Sequence, residues 1–174
     1  FKERFRGNDN SYIGLNMTEN EFIERYDLIL TKEPYKISDS IFYLGEIPRL
    51  TEFESKTTSF VDKNKQPDFV PDDSAITMIE NEEIIVVSGC AHAGICNTII
   101  HARKVTGLSK IKAVFGGFHL KKDNKQTRET FQFLKQNTVE QIFPSHCTEL
   151  EALIAFSKEF NISQVKTGNV YRLV

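Results

Sequence analysis

Three histidines stand at equal intervals along the chain, His92, His119 and His146, each 27 residues after the last. Each closes a short apolar run, IIVVSGCAH, AVFGGFH and IFPSH, and a helix-like segment follows each. That interval is what one strand, one crossover helix and two turns consume. Parallel strands joined by right-handed crossovers run the same way, so their carboxyl ends share one edge of the sheet. Open α/β sheets bind ligands at that edge. Three imidazoles gathered there read first as a metal site, and a divalent ion held by histidines with an open position points to hydrolysis by activated water.

The flanking pattern supports the same frame. Thr18 with Glu21 makes a capping box, which predicts a short helix near 18–26. Strands are expected over 28–37 and 41–47, around the turn Ser38-Asp39-Ser40, with Pro48 ending the second. Residues 49–72 carry little periodicity and read as a long loop, a lid or binding segment by expectation, with disorder as the alternative. A hairpin follows, 75–80 with 84–87, around Asn81-Glu82-Glu83. Ile95, Ile99, Ala102 and Val105 recur at helical spacing and Gly107 stops that helix. A strand at 111–115, a helix at 127–136 and a strand at 139–143 come next. Thr148 with Glu151 predicts a second capping box at the start of a last helix, and short strands at 164–167 and 170–174 close the chain. No boundary divides residues 1–174, which read as a single domain.

Composition narrows the function classes. Net charge is −2 and no basic stripe is present, so no nucleic-acid partner is expected. Apolar runs reach only four to five residues, which predicts no membrane span. Three cysteines, an odd count with no secretion signal at the start, predict free thiols and a cytoplasmic location. A small-molecule substrate is the partner expected.

Other residues qualify the site. Gly117, in GGFHL, lets a group approach the backbone closely, and with Ser145, Cys90 and Cys147 it is read as contacting substrate or supporting the metal. Cys90 and Cys147 suit a soft metal or a nucleophile, against the plainer role of small buried hydrophobes. Cys96 is expected to be structural, His101 to lie on the surface, and Asp73 and Glu149 are weaker candidates for a base or a supporting carboxylate.

The order SGCAHAGI, GGFHL and PSHCTE, with EIPRLTEFE before the long loop and PDDSAITMI after it, resembles the metallo-β-lactamase superfamily. Within it the chain resembles the dihydropterin or ribofuranosylaminobenzene-phosphate synthase-like branch. The resemblance implies an α+β fold, an αββα sandwich with a metal site between the upper edges of two sheets. It implies that His92 and His146 are metal ligands, and that His119 stands where most members place an Asp bridging two metals. The leading His-x-His-x-Asp-His motif of the family is absent, since the only histidines are 92, 101, 119 and 146. The expectation is therefore an incomplete sandwich, the C-terminal portion of a domain, needing its N-terminal portion, a partner chain or self-association for good order. The implied function is a metal-dependent hydrolase acting through metal-activated water, on a phosphate-bearing small molecule. The cofactor is a divalent ion, zinc first, with iron, manganese or nickel also suiting imidazoles. These 174 residues alone are expected to be inactive. Two rivals stand beside this reading: a non-enzymatic binding module or remnant of the same fold, and a metal-free thiol hydrolase using Cys147 or Cys90.

Overall fold

The computed structural model describes residues 2–162 and 165–173. Its frame is a six-stranded sheet in the order β2-β3-β5-β6-β7-β8. The strands are β2 (Tyr35–Lys36), β3 (Ile41–Tyr43), β5 (Ala75–Glu80), β6 (Glu83–Ser88), β7 (Ile111–Gly116) and β8 (Gln141–Pro144). Pairing is antiparallel from β2 to β6 and parallel across β6, β7 and β8. A separate antiparallel pair joins β1 (Arg4–Arg6) to β4 (Phe60–Asp62). The helices are α1 (Glu19–Arg25), α2 (Ile95–Thr106), α3 (Lys125–Gln136) and α4 (Leu150–Ser157).

The βα rhythm read from the histidine spacing is present. Strands β6, β7 and β8 lie side by side and parallel, so Cys90-Ala91-His92, Phe118-His119 and Ser145-His146-Cys147 leave one edge of the sheet. Pleat alternation sends Ile84, Val86, Val114 and Ile142 to one face, where Ile95, Ile99, Leu134, Ala152 and Phe156 from α2, α3 and α4 complete the core. The other face carries the row Ile76, Val87, Phe115 and Phe143. Phe115 and Phe143 stack with centroids 4.2 Å apart, and Tyr171 meets both rings edge-on.

Several local expectations hold. Thr18 and Glu21 form the reciprocal capping box of α1. The hairpin turns through Asn81 and Glu82, both at positive φ, and α2 ends where the Gly107 N–H meets Arg103 O at 2.9 Å.

Others are corrected. The strand expected over 28–37 is only β2, because Pro34 lacks a ladder N–H and the Glu46 N–H is drawn to Lys32 O at 2.8 Å. The strand expected over 41–47 ends at Tyr43, well before Pro48. Thr148 does not cap α4: its Oγ1 accepts from the Phe118 N–H at 3.1 Å, Glu151 accepts from the Asp123 N–H at 3.0 Å, and Glu149 is the N-cap. His101 is buried, 7% exposed, with Nε2 donating to Leu44 O at 2.9 Å. The closing strands fail where they are described: residues 165–167 and 170–173 form no strand, while Gln164 and Val174 lie outside the described residues.

The long segment 49–72 contains β4 and is tied down at both ends. At one end the Leu50 and Thr51 N–H groups donate to Asn97 Oδ1 at 2.8 Å each. At the other, Arg4 holds Asp68 and Asp72. Among the described residues no helix is long and apolar enough to cross a membrane.

Candidate metal centre

The turn after β6 is built around Asp73. Its carboxylate accepts the His92 N–H at 2.6 Å and the Cys90 N–H at 3.3 Å, and between them Ala91 adopts a φ of 53°. Such a conformation costs energy for a residue with a Cβ and persists only when its surroundings hold it. His119 (φ 50°) and Val70 (φ 56°) share it, and both line the same cleft. Asp73 therefore positions the turn; burial first of all raises its pKa, against the two N–H donors.

The His92 and His119 rings lie with centroids 4.3 Å apart, and Phe60 packs edge-on against His92 at 5.3 Å. Nδ1 of His119 is buried with no hydrogen-bond partner among the described residues. It shares that state with Nδ1 of His101 and three other buried polar atoms, and what sets it apart is its place against the His92 ring at the cavity. Burial, then the neighbouring His92 and Lys121, hold the His119 imidazole down at about 4. The neutral ring, with its lone pair free, is the form that ligates a cation.

His146 sits apart from that pair. Its Nε2 lies 3.1 Å from Cys90 Sγ and its Nδ1 lies 3.0 Å from Ser145 Oγ. Cys147 Sγ donates to Cys90 O at 3.2 Å and accepts from the His119 N–H at 3.3 Å. Among the described residues, the one group of three donors all lying within 4.8 Å of one another is Cys90, His146 and Cys147. The three imidazoles thus share one edge as two neighbouring clusters, bridged by the contact between His119 and Cys147. Burial pushes the Cys147 thiol up to about 12 and raises that of Cys90.

A cavity of about 250 Å³ opens beside His92 and His119. Phe53, Phe60 and Phe69 give it apolar walls, and Lys56, Lys121 and Asn124 give it polar ones. The start of α2 does not serve it. Glu54 accepts the Cys96 and Asn97 N–H groups at 2.9 Å each, so those donors are closed to a substrate anion. No sequence signal marks Arg4 or Val70 as shaping this edge, and Glu54 closes the EIPRLTEFE run with no local sign of its role, since each acts through contacts distant in the chain.

The donors fit the ion that the histidine pattern implies: an orphaned imidazole nitrogen, a second imidazole against it, and a third with two sulfurs close by. The fold agrees. A solved metal-dependent hydrolase of the β-lactamase superfamily superimposes with a TM-score of 0.80, at 24% identity, over 97% of this chain and 66% of that one. The chain has the metallo-β-lactamase fold. By sequence it is 35% identical over 155 residues to the 7,8-dihydropterin-6-methyl-4-(β-D-ribofuranosyl)-aminobenzene-5′-phosphate synthase of Methanocaldococcus jannaschii, covering 84% of this chain and 53% of that relative. It is 34% identical over 173 residues to an uncharacterized protein of the same organism, covering 98% of this chain and 64% of the relative. The chain thus spans between about half and two thirds of the length of these curated relatives. No family model matches it. The resemblance read from SGCAHAGI, GGFHL and PSHCTE is borne out by these matches in sequence and in fold.

The depressed pKa of His119 gives a pH test. Between about 4 and 6.5 the unfolded chain takes up a proton that the folded site refuses. The resulting stability is full above pH 6.5 and declines as pH falls towards 4. Melting temperatures of the metal-free protein across that window should fall with pH, and His119→Gln should flatten the dependence. An unchanged slope in the variant would show that His119 does not report its burial in this way.

Proposed function

We propose that this edge is the working end of a metal-dependent hydrolase, or of a related synthase, that handles a phosphate-bearing small molecule. The observation that carries the reading is the buried, unpartnered Nδ1 of His119 beside the His92 ring, at the wall of a cavity that also presents Lys56 and Lys121. His92 and His119 would hold a divalent ion, zinc being the natural choice for imidazole donors, while His146 leaves the same edge among the sulfurs. Such an ion supplies a Lewis acid and brings the pKa of a bound water to about 7.

The protein's own groups do the rest. Asp73 fixes the turn that presents His92. Lys56 and Lys121 supply positive charge for an anionic group, with Asn124, the N-cap of α3, on the same cavity wall. Phe53, Phe60 and Phe69 offer aromatic and apolar surface to an uncharged ring. The synthase relative is named for a compound carrying a dihydropterin, an aminobenzene and a ribofuranosyl phosphate, which is consistent with that division. The segment 49–72 forms part of the cavity wall and covers the site from one side.

The test is binding. The purified protein should take up zinc, measured by elemental analysis after dialysis, and His92→Ala with His119→Ala should remove about one equivalent of it. Inorganic phosphate should bind the zinc-loaded protein, and Lys121→Ala should weaken it roughly tenfold, the loss of about 1.4 kcal/mol expected for one charge-assisted contact. No zinc uptake by the parent protein would end the reading.

A further inference from the structure

We infer that Cys90, His146 and Cys147 form a binding site for a thiophilic divalent cation such as zinc, distinct in its donors from the imidazole pair. The inference lies on the same sheet edge as the proposed function but stands on its own geometry.

Two strand ends build the site. Cys90 follows β6, while His146 and Cys147 follow β8, and β7 lies between them. Gly117, the residue just after β7, keeps the space between these ends open. A Cβ there would lie 2.3 Å from Cys147 Sγ, 3.0 Å from His146 Nε2 and 2.9 Å from the backbone oxygen of Gly89. The side chains converge because that position has none. Their donor atoms then lie within 4.8 Å of one another, and the closest pair, Cys90 Sγ and His146 Nε2, is 3.1 Å apart. Zinc–sulfur bonds of about 2.3 Å and zinc–nitrogen bonds of about 2.0 Å place tetrahedral donors roughly 3.5 to 3.8 Å apart, within that range.

The surroundings suit a cation. Ser145 Oγ engages Nδ1 of His146, which leaves Nε2 as the free donor facing the sulfurs. The Asp73 carboxylate, bonded to the Cys90 N–H, adds negative charge behind the site. His146 is exposed, so a fourth position opens to solvent, as in catalytic zinc sites and unlike closed structural ones. Two sulfurs and one imidazole favour a borderline or soft ion over magnesium or calcium. On binding, each S–H bond gives its proton to solvent and the sulfur lone pair passes to the metal. One divalent ion thus replaces two protons and no electron is transferred.

Cobalt(II) reports this chemistry directly, because thiolate coordination adds a near-ultraviolet sulfur-to-metal charge-transfer band that imidazole coordination lacks. Titration of the reduced protein with cobalt(II) under argon should give the band. It should weaken in Cys90→Ser and in Cys147→Ser, vanish in the double variant, and persist in Cys96→Ser. A second measurement needs no variant: zinc should protect Cys90 and Cys147 of the parent protein from maleimide, scored by peptide mass spectrometry. Cobalt bound with d–d bands alone would overturn the thiol site while leaving the imidazole reading intact. No cobalt uptake would overturn both. A band surviving in the double serine variant, or zinc that leaves both thiols reactive, would also overturn the thiol site.

Discussion

Glu54→Ala is expected to lower the unfolding free energy by about 3 kcal/mol or more, read from urea denaturation. Glu54 is 1% exposed, and its carboxylate accepts from the Cys96 N–H, the Asn97 N–H and the Thr51 hydroxyl. Each buried donor left without an acceptor costs about 1–3 kcal/mol. Burial is the main influence on this carboxyl and raises its pKa, with the two N–H donors pulling it down. The contact also explains Gly94. A Cβ there would lie 2.3 Å from Glu54 Cδ, and its φ of 105° is one that L side chains avoid. Glu54→Gln keeps the shape and one acceptor oxygen and should lose clearly less than Glu54→Ala. Equal losses would mean that Glu54 acts by filling space. Because Glu54 belongs to the segment 49–72 and caps α2, the alanine variant should also loosen one wall of the cleft, seen as faster amide exchange at Cys96 and Asn97.

Arg4→Ala is expected to cost about 3–5 kcal/mol, the range for removing one partner of a buried ion pair. Arg4 Nε meets Asp68 Oδ2 at 3.1 Å, and its other nitrogens reach Asp72. Asp68 is 1% exposed and its Oδ1 also accepts the Val70 N–H at 2.8 Å. Burial works against the Asp68 charge, but Val70, Arg4 and Lys2 outweigh it and hold its pKa below the ordinary carboxylate value. Without Arg4 that charge stays buried with only the distal Lys2 ammonium, 3.1 Å away, to meet it. The companion Arg4→Ala/Asp68→Asn removes the stranded charge and should recover part of the loss. No recovery would place the effect in lost packing of the Arg4 stem. The same network pins Val70 in its positive-φ conformation at the cleft, so cation uptake should weaken together with stability.

The parallel part of the molecule was the most legible from sequence. Ile84 to Val86, Ile111 to Val114 and Ile142 sit in short apolar runs whose spacing admits a crossover helix and little else, and β6, β7 and β8 follow it. Helix α2 was equally plain, because its apolar stripe and its stop at Gly107 are local. Where a residue had a choice of partners, local reading failed. Thr148 and Glu151 fit a capping box, yet both found donors on the loop after β7. His101 lies on the helix face turned to the core, where the Leu44 carbonyl makes its burial tolerable.

The site divides the same way. The amino-acid order alone determined that three histidines, with Cys90 and Cys147 beside them, leave the same edge of one sheet, because strand spacing and the handedness of crossovers are properties of a short stretch of chain. Only the tertiary structure decided how those groups sort themselves: His92 against His119 at the cavity, and His146 among the sulfurs. That sorting depends on Asp73, Gly117, Glu54 and Arg4, whose contacts join positions up to 68 residues apart. Ring orientation is set by packing and hydrogen bonding in three dimensions, and sequence spacing carries no record of it.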